Sequence, residues 1–358
     1  MTTDTQRLVV AAFDKFRGTA TAAELAKAVS CAARSTGWAC DEAPLADGGE
    51  GTLEALGGDS RSTTVRGPLG EPVEAEWRLD GSHRAVVEMA RASGLELAGG
   101  AEGNDPLRAT TYGTGELIAA AIAGGAQRVM VGLGGSATTD GGLGAVSALR
   151  AARLVHPGGA ERGSTQAGPP VRLATEVVVA CDVTTRFADA AEHFAPQKGA
   201  TPAQVALLQR RLQRLAQVYE RDFGVDVRGL VGSGAAGGLA GGLAAVGAKL
   251  VAGFDLVATE LDLAERVAKA DLVVTGEGRL DAESLSGKTV GGVVGLASDA
   301  GTPVLVVAGE VDEAAVPSSW AGAGVQVVSL VERFRAERAM ADTGGCVEEV
   351  VADHLGGL

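Results

Sequence analysis

The sequence has few cysteines, few aromatic residues and no excess of basic residues. Its four cysteines form no CxxC pair, which excludes the common zinc and iron–sulfur frameworks and favours a reducing compartment. Lys and Arg number 31 against 45 Asp and Glu, and the net charge of −14 argues against a nucleic-acid or anionic-membrane partner. The first seven residues lack the basic segment of a signal peptide, so we expect a cytoplasmic protein with no membrane partner. With only seven Phe, three Trp and two Tyr, we expect a monomer or a weak homodimer.

Glycine, in contrast, is abundant, with 53 residues among 358. The glycines occur in discrete clusters rather than in a repeat, which excludes a collagen-like chain. One uncharged stretch, 229–248, has glycines at the spacing of paired membrane helices, but it has too few large apolar residues to span a bilayer. A chain of this length is expected to form about two domains.

Short apolar segments alternate with helical segments, which predicts a parallel sheet covered on both faces. The predicted strands are 8–12, 41–45, 128–133, 271–275, 304–308 and 326–330. Two stretches break this rhythm. Residues 63–89 indicate antiparallel strands, with Asp80-Gly81 as a hairpin turn. Residues 153–262 combine a Gly/Pro-rich linker (157–170), a strand (176–181) and a long helix that begins at Thr201-Pro202.

We therefore predict an α/β fold in which a flavodoxin-like parallel-sheet domain carries a second, inserted α+β domain. The flavodoxin-like domain is predicted from residues 1–64, 108–152 and 262–358. The inserted domain is predicted from residues 65–107 and 153–261, and the active site is expected in the cleft between the two domains.

Glycines, acids and bases are concentrated in four loops that follow predicted strands. Because ligands of such sheets bind beyond the carboxyl ends of the strands, we expect these loops to meet at one edge. Glycine-rich backbone and Lys or Arg bind phosphate oxygens, and carboxylates without His or Cys partners suit Mg²⁺. The composition of the loops thus indicates phosphoryl transfer. The loops are 13–18, 46–52, 134–142 and 275–281.

Three other functions are alternatives to phosphoryl transfer by these loops. Ser286-Gly287-Lys288-Thr289 resembles the end of a Walker A loop, but Ala282 stands where that motif needs glycine, so a P-loop NTPase is excluded. The glycines at 232, 234 and 237 match the dinucleotide fingerprint, although the preceding residues make a poor strand for a nicotinamide dehydrogenase. A sensor that binds a small acid or a nucleotide without catalysis is the third alternative.

Nine segments, in order and over nearly the whole chain, resemble the type I glycerate kinase family. They are FDKFRGT (13–19), ADGGEGT (46–52), VEMARASGLEL (87–97), TTYGTGELI (110–118), GLGGSATTDGG (132–142), ACDVT (180–184), PQKGA (196–200), GSGAAGGL (232–239) and TGEGRLD (275–281). The resemblance implies a two-domain kinase that uses ATP and Mg²⁺ to phosphorylate D-glycerate, most often to 2-phosphoglycerate.

The matching motifs provide the candidate site residues. The catalytic candidates are Asp47, Asp14, Glu50, Lys15 and Arg17, with Asp47 as the base that faces the reacting hydroxyl. The metal candidates are Asp182, Glu277 and Asp281. The candidates for binding nucleotide or substrate are Gly48, Gly49, Gly134, Gly135, Ser136, Ala137, Thr138, Asp140, Lys198, Gly276, Gly278, Arg279 and Lys288.

The sequence departs from the family pattern at several positions. Phe13 replaces a proline, Arg17 replaces a lysine and Thr139 replaces an asparagine. Arg keeps the charge of Lys but presents a planar fork instead of a point donor. The segment 183–195 is shorter than usual, which makes substrate preference the property most open to change.

Overall fold

The computed structural model describes residues 6–158, 170–282, 284 and 288–358. Most of the predicted linker 157–170, and the Ser286-Gly287 pair, lie outside the described residues. The strands are β1 Leu8–Phe13, β2 Ala39–Glu42, β3 Asp59–Arg66, β4 Pro72–Leu79, β5 Arg84–Glu88, β6 Arg128–Gly132, β7 Glu176–Ala180, β8 Lys249–Val251, β9 Leu272–Leu280, β10 Val304–Val311 and β11 Val325–Ser329.

The helices alternate with the strands over much of the chain. They are α1 Ala22–Thr36, α2 Thr52–Leu56, α3 Ala90–Ser93, α4 Gly100–Gly103, α5 Tyr112–Ala123, α6 Leu143–Ala151, α7 Ala190–Phe194, α8 Pro202–Phe223, α9 Ala235–Ala245, α10 Gly253–Glu260, α11 Leu263–Ala268, α12 Thr289–Ala300, α13 Ser318–Gly322, α14 Leu330–Ala341 and α15 Thr343–Gly356. Among the described residues, none of these helices is both long enough and apolar enough to cross a bilayer.

The described residues divide into two compact units. Unit one lies within Met1–Asp47, Glu54–Leu56 and Phe254–Leu358, and unit two comprises Gly48–Leu53 and Gly57–Gly253. Unit one contains a five-stranded parallel sheet in the order β2-β1-β9-β10-β11. Taken in chain order within the unit, this is the 2-1-3-4-5 arrangement of flavodoxin-like folds, which confirms the predicted fold class.

The central strands of the unit-one sheet begin with apolar segments and are buried on both faces. Along β1, Val9 and Ala11 pack into one hydrophobic core, and Val10 and Ala12 pack into another on the opposite face. Continuous apolar strands of this kind are typical of parallel sheets with helices on both sides. The first of these helices, α1, begins at Thr21 with the predicted capping box to Glu24.

Unit two contains a six-stranded mixed sheet in the order β3-β4-β5-β6-β7-β8. The first three strands are antiparallel neighbours, as predicted for residues 63–89, and β5 to β8 are parallel. Helix α8 begins at Thr201-Pro202 as predicted and buries Leu208 and Leu212 on its apolar face.

The structure differs from the predicted domain boundaries in the segment 108–152. The sequence pattern predicts this segment in the flavodoxin-like domain, but its strand β6 forms hydrogen bonds to β5 and β7 in the sheet of unit two. Residues 48–53 and 57–64 also lie in unit two, and residues 254–261 lie in unit one. The sequence shows that 128–132 is a buried strand, but the choice of sheet depends on distant backbone partners that local patterning does not record.

Candidate active site

A pocket of about 420 Å³ lies in unit one, at the carboxyl ends of β1 and β9. These strands are neighbours in the sheet, and Phe13 pairs with Gly276 in their register. Asp14 comes directly after Phe13 and Glu277 comes directly after Gly276, so the two acids are neighbours across the two strands. In the 2-1-3-4-5 order, the chain reverses its direction of winding between these two strands, and ligands of flavodoxin-like folds bind at that point.

Nine of the predicted site residues line this pocket. Its lining combines five carboxylates with four cationic side chains, so it can hold both a cation and an anion. The nine are Asp14, Lys15, Arg17, Asp47, Glu277, Gly278, Arg279, Asp281 and Lys288.

Two of the carboxyl groups are held partly protonated near neutral pH. Burial, followed by the charge of Asp47, raises the pKa of Asp14 to about 6, against a weaker opposing hydrogen bond from the Lys15 N–H. Burial also raises the pKa of Glu277 to about 7, with the charges of Asp14 and Asp281 adding to the shift. Such clustering of acids is unfavourable in an empty pocket and becomes favourable when a cation binds among them.

Two polar atoms of the pocket residues are buried without a hydrogen-bond partner among the residues that the structure describes. They are Oε1 of Glu277 and Oγ1 of Thr289. An unsatisfied buried carboxylate oxygen beside other acids fits a metal ion. In the described part of the chain, no three His, Cys, Asp or Glu side chains are placed to hold a metal by themselves. Mg²⁺ is usually bound through one or two carboxylates together with phosphates and water.

Two of the predicted glycine loops pack against each other in unit two. The Leu133 N–H donates to the Gly48 carbonyl at 3.0 Å. A Cβ atom at Gly132 would lie 2.7 Å from the Gly48 oxygen, and one at Gly134 would lie 2.8 Å from Cα of Gly49. Glycine is therefore needed here for the close approach of two backbones.

Lys198 lies under the second of these loops. Its side chain is only 3% exposed, and its Nζ donates to Oγ of Ser136 at 2.6 Å and to the Thr138 carbonyl at 2.7 Å. Both acceptors are uncharged oxygens. Burial lowers the pKa of Lys198 to about 7, and the charge of Asp140 only partly opposes that shift. A buried ammonium with neutral partners is suited to receive an anionic ligand.

Asp140 fixes the end of the same loop through hydrogen bonds. Its two oxygens accept hydrogen bonds from the backbone N–H groups of Thr111, Gly142 and Gly144 at 2.9–3.1 Å. They also accept from the hydroxyls of Thr110 and Thr111. Through these hydrogen bonds the Asp140 carboxylate holds the loop in place. Its predicted role in ligand binding stays a prediction.

Glu88 is a residue that sequence reasoning missed. It ends β5, its side chain is 3% exposed, and its Oε1 accepts hydrogen bonds from the N–H groups of Gly51 and Leu53 at 3.0 and 3.1 Å. Its other oxygen lies 3.3 Å from Nε of Arg91. Glu88 thus fixes the segment that directly follows Asp47. The sequence signal that could have identified Glu88 is an acidic residue at the end of an apolar strand.

Three predicted site residues lie elsewhere. Glu50 is exposed and does not line the unit-one pocket. Asp182 lies in unit two, where its Oδ1 accepts from the Gly253 N–H at 2.6 Å. Gly276 is enclosed, because a Cβ atom there would lie 1.8 Å from the Val307 carbonyl oxygen.

The glycines that match the dinucleotide fingerprint pack against the protein itself. Cβ atoms at Gly232, Gly234 and Gly237 would collide with Cys181, Arg186 and Thr138, respectively. The residues before them, 225–231, form turns and bends instead of the strand that the motif requires. This context contradicts the dehydrogenase alternative.

Comparison with known proteins identifies a single family. Residues 9–355 match the model of the glycerate kinase family. The chain is 40% identical over 328 residues to the glycerate 2-kinase of Escherichia coli K12, covering 85% of this chain and 86% of that protein. It is 39% identical over 326 residues to the glycerate kinase of Bacillus subtilis 168, covering 85% of each. A crystal structure from Salmonella typhimurium LT2, provisionally named glycerate kinase 2, has a TM-score of 0.77 at 34% identity and covers 98% of this chain and 99% of that one.

The family match spans nearly the whole chain, and the relatives are similar over most of their own length. The chain therefore belongs to the glycerate kinase family of phosphotransferases.

Proposed function

We propose that the chain transfers the γ-phosphoryl group of Mg·ATP to D-glycerate and forms 2-phosphoglycerate. The observation that carries the proposal is the unit-one pocket, which combines five carboxylates and four cationic side chains at the switch point of the sheet. The name of the Escherichia coli relative, glycerate 2-kinase, supports the 2-position as the site of phosphorylation.

Glu277 and Asp14 are proposed to hold Mg²⁺, directly or through water. Their raised pKa values and the unpartnered Oε1 of Glu277 support this assignment. Mg²⁺ bound there would neutralise the negative charge of the phosphates during transfer. Asp281 lines the same pocket and is proposed to bind a water molecule of the metal.

Asp47 is proposed to accept the proton of the reacting hydroxyl. Lys15, Arg17 and Arg279 line the same pocket and carry the positive charge that the glycerate carboxylate and the phosphates require. Because phosphoryl transfer passes through a loose transition state, placement and charge neutralisation contribute more than the strength of the base.

In unit two, the Gly134–Thr138 loop and Lys198 are proposed to bind an anionic group, either a phosphate or the substrate carboxylate. The buried ammonium of Lys198 and the backbone of a glycine-rich loop are both typical of anion sites. The uncharged partners of Lys198 support this role.

The proposal is tested by incubating the purified protein with ATP, Mg²⁺ and D-glycerate and measuring ADP release. ³¹P and ¹H NMR of the product then identify the phosphorylated hydroxyl. We expect 2-phosphoglycerate, and we expect Asp47→Asn to lower kcat much more than it changes KM. A protein that binds these ligands without turnover would be a sensor, and its behaviour would refute the proposal.

A further inference from the structure

Helix α14 contributes three apolar side chains to the lining of the unit-one pocket. They are Val331, Ala339 and Met340, which we call the apolar wall. Met340 is 66% exposed, although large apolar side chains are usually covered. Small-molecule sites commonly combine an apolar surface with a few polar groups, and these three side chains line the same pocket as its charged groups.

The backbone of α14 is distorted between the residues of this wall. Arg335 has φ 65° and ψ 154°, a conformation that is nearly restricted to glycine. It separates the turn that carries Val331 from the turn that carries Ala339 and Met340, and both turns contribute to the pocket. Strained residues of this kind are concentrated at ligand sites, where the surrounding structure keeps them in place.

We propose that the apolar wall binds the purine ring of the nucleotide. The inference rests on the proposed function, because it assigns one part of the ATP molecule within that site. A purine presents flat, weakly polar faces that pack well against methyl groups and a thioether. The charged lining of the same pocket is left for the phosphates and the metal.

The chemistry of the wall also predicts low base specificity. Valine and alanine side chains have no hydrogen-bonding atoms, and the methionine sulfur is only a weak acceptor. The wall can contact the faces of adenine and guanine equally, but it cannot distinguish their edges. We therefore expect ATP and GTP to serve as phosphoryl donors with similar KM values.

Calorimetry with Mg·ADP and Mg·pyrophosphate tests the assignment, because pyrophosphate lacks the nucleoside. For Met340→Ala we expect the Kd of Mg·ADP to rise on the order of fivefold, from the lost apolar contact, and the Kd of Mg·pyrophosphate to stay unchanged. The matched control is Leu358→Ala, which truncates a side chain that is 59% exposed and lies outside the pocket lining. This variant should bind both ligands like the wild type.

Two results would overturn the inference. The first is an unchanged Mg·ADP affinity in both Met340→Ala and Val331→Ala. The second is an equal loss of affinity for Mg·ADP and Mg·pyrophosphate, which would place the wall against the phosphates or make its role structural. Failure of the proposed function itself looks different, since the wild-type protein would then release no ADP from ATP and D-glycerate, whatever its affinity for Mg·ADP.

Discussion

The ammonium group of Lys198 donates a 2.6 Å hydrogen bond to the hydroxyl of Ser136, which lies 62 positions earlier in the chain. A second bond, to the Thr138 carbonyl, ties the same side chain to the glycine-rich loop. The Asn104 side-chain amide links the Ala137 and Lys198 carbonyls at 3.0 and 2.9 Å. The buried lysine thus holds the loop in shape, and both of these hydrogen-bond acceptors are uncharged. A substitution of Lys198 can therefore change the stability of the protein and its activity to different degrees.

Lys198→Met should lower kcat/KM by at least about 100-fold, because it removes a buried donor from the proposed anion site. Its effect on the free energy of unfolding at pH 7 should stay within about 1 kcal/mol, because relief from burying an ammonium offsets the loss of its hydrogen bonds to Ser136 and Thr138. Steady-state kinetics and urea unfolding measure the two effects. Lys27→Met, at an exposed position, is the control. A variant that loses stability as well as activity would make Lys198 a structural residue.

The same lysine predicts a pH dependence of stability. Its pKa is about 7 in the folded protein against 10.5 for an ordinary lysine, so between these values the unfolded chain binds more protons than the folded one. The free energy of unfolding therefore rises with pH across this range. Below about pH 7 the lysine is charged in both the folded and the unfolded state, so the full cost of burying its charge opposes folding. Relative to Lys198→Met, the wild type should gain on the order of 3 kcal/mol between about pH 7 and about pH 9.5. Urea unfolding at both pH values checks this, and a constant difference between the two proteins would contradict it.

Glu88→Ala should lower the free energy of unfolding by about 2–3 kcal/mol, because the N–H groups of Gly51 and Leu53 lose their buried acceptor. It should also lower kcat, since these N–H groups belong to the segment that follows Asp47. Glu88→Gln keeps an accepting oxygen and should recover part of both losses. Denaturant unfolding and kinetics are the measurements, with the exposed Glu102→Ala as the control. Equal losses in the Gln and Ala variants would show that the hydrogen bonds are not what matters.

The flavodoxin-like sheet could be predicted because its information is local. Its central strands, β1, β9 and β10, begin with continuous apolar segments. Helix α1 carries its own capping box at Thr21. The allocation of β6 could not be predicted, since a buried parallel strand has the same pattern in either sheet. Its place is determined by hydrogen bonds to β5 and β7, whose positions the sequence does not encode locally.

The candidate site shows the same difference between local sequence patterns, which can be predicted, and distant contacts, which cannot. Asp14 and Glu277 could be predicted as neighbours because both lie at the carboxyl ends of parallel strands, which share one edge. The partners of Glu88 and Asp140 could not, because each side chain accepts hydrogen bonds from backbone groups about 30 or more positions away. Such contacts exist only after the chain has folded.

Glu277→Gln should raise the Mg²⁺ concentration needed for half-maximal activity by about tenfold or more, because it removes a charged oxygen ligand and keeps the shape of the side chain. Glu310→Gln is the matched control, since Glu310 lines the same pocket at an exposed position. Titration of activity with Mg²⁺ at saturating glycerate separates the two variants. The same small shift in both would mean that only the overall charge of the pocket matters.

Two glycines of β9, Gly276 and Gly278, should respond differently to alanine. A Cβ atom at Gly276 would lie 1.8 Å from the backbone oxygen of Val307, so Gly276→Ala has to displace a central strand and should lower the free energy of unfolding by about 2 kcal/mol or more. At Gly278 the nearest atom, Cα of Phe16, lies 3.6 Å away, so Gly278→Ala should fold within about 1 kcal/mol of the wild type. Since Gly278 lines the pocket and Gly276 does not, any loss of activity in Gly278→Ala without loss of stability reports on ligand binding. Thermal unfolding and ADP titration of both variants test this contrast, and comparable destabilisation of the two would refute it.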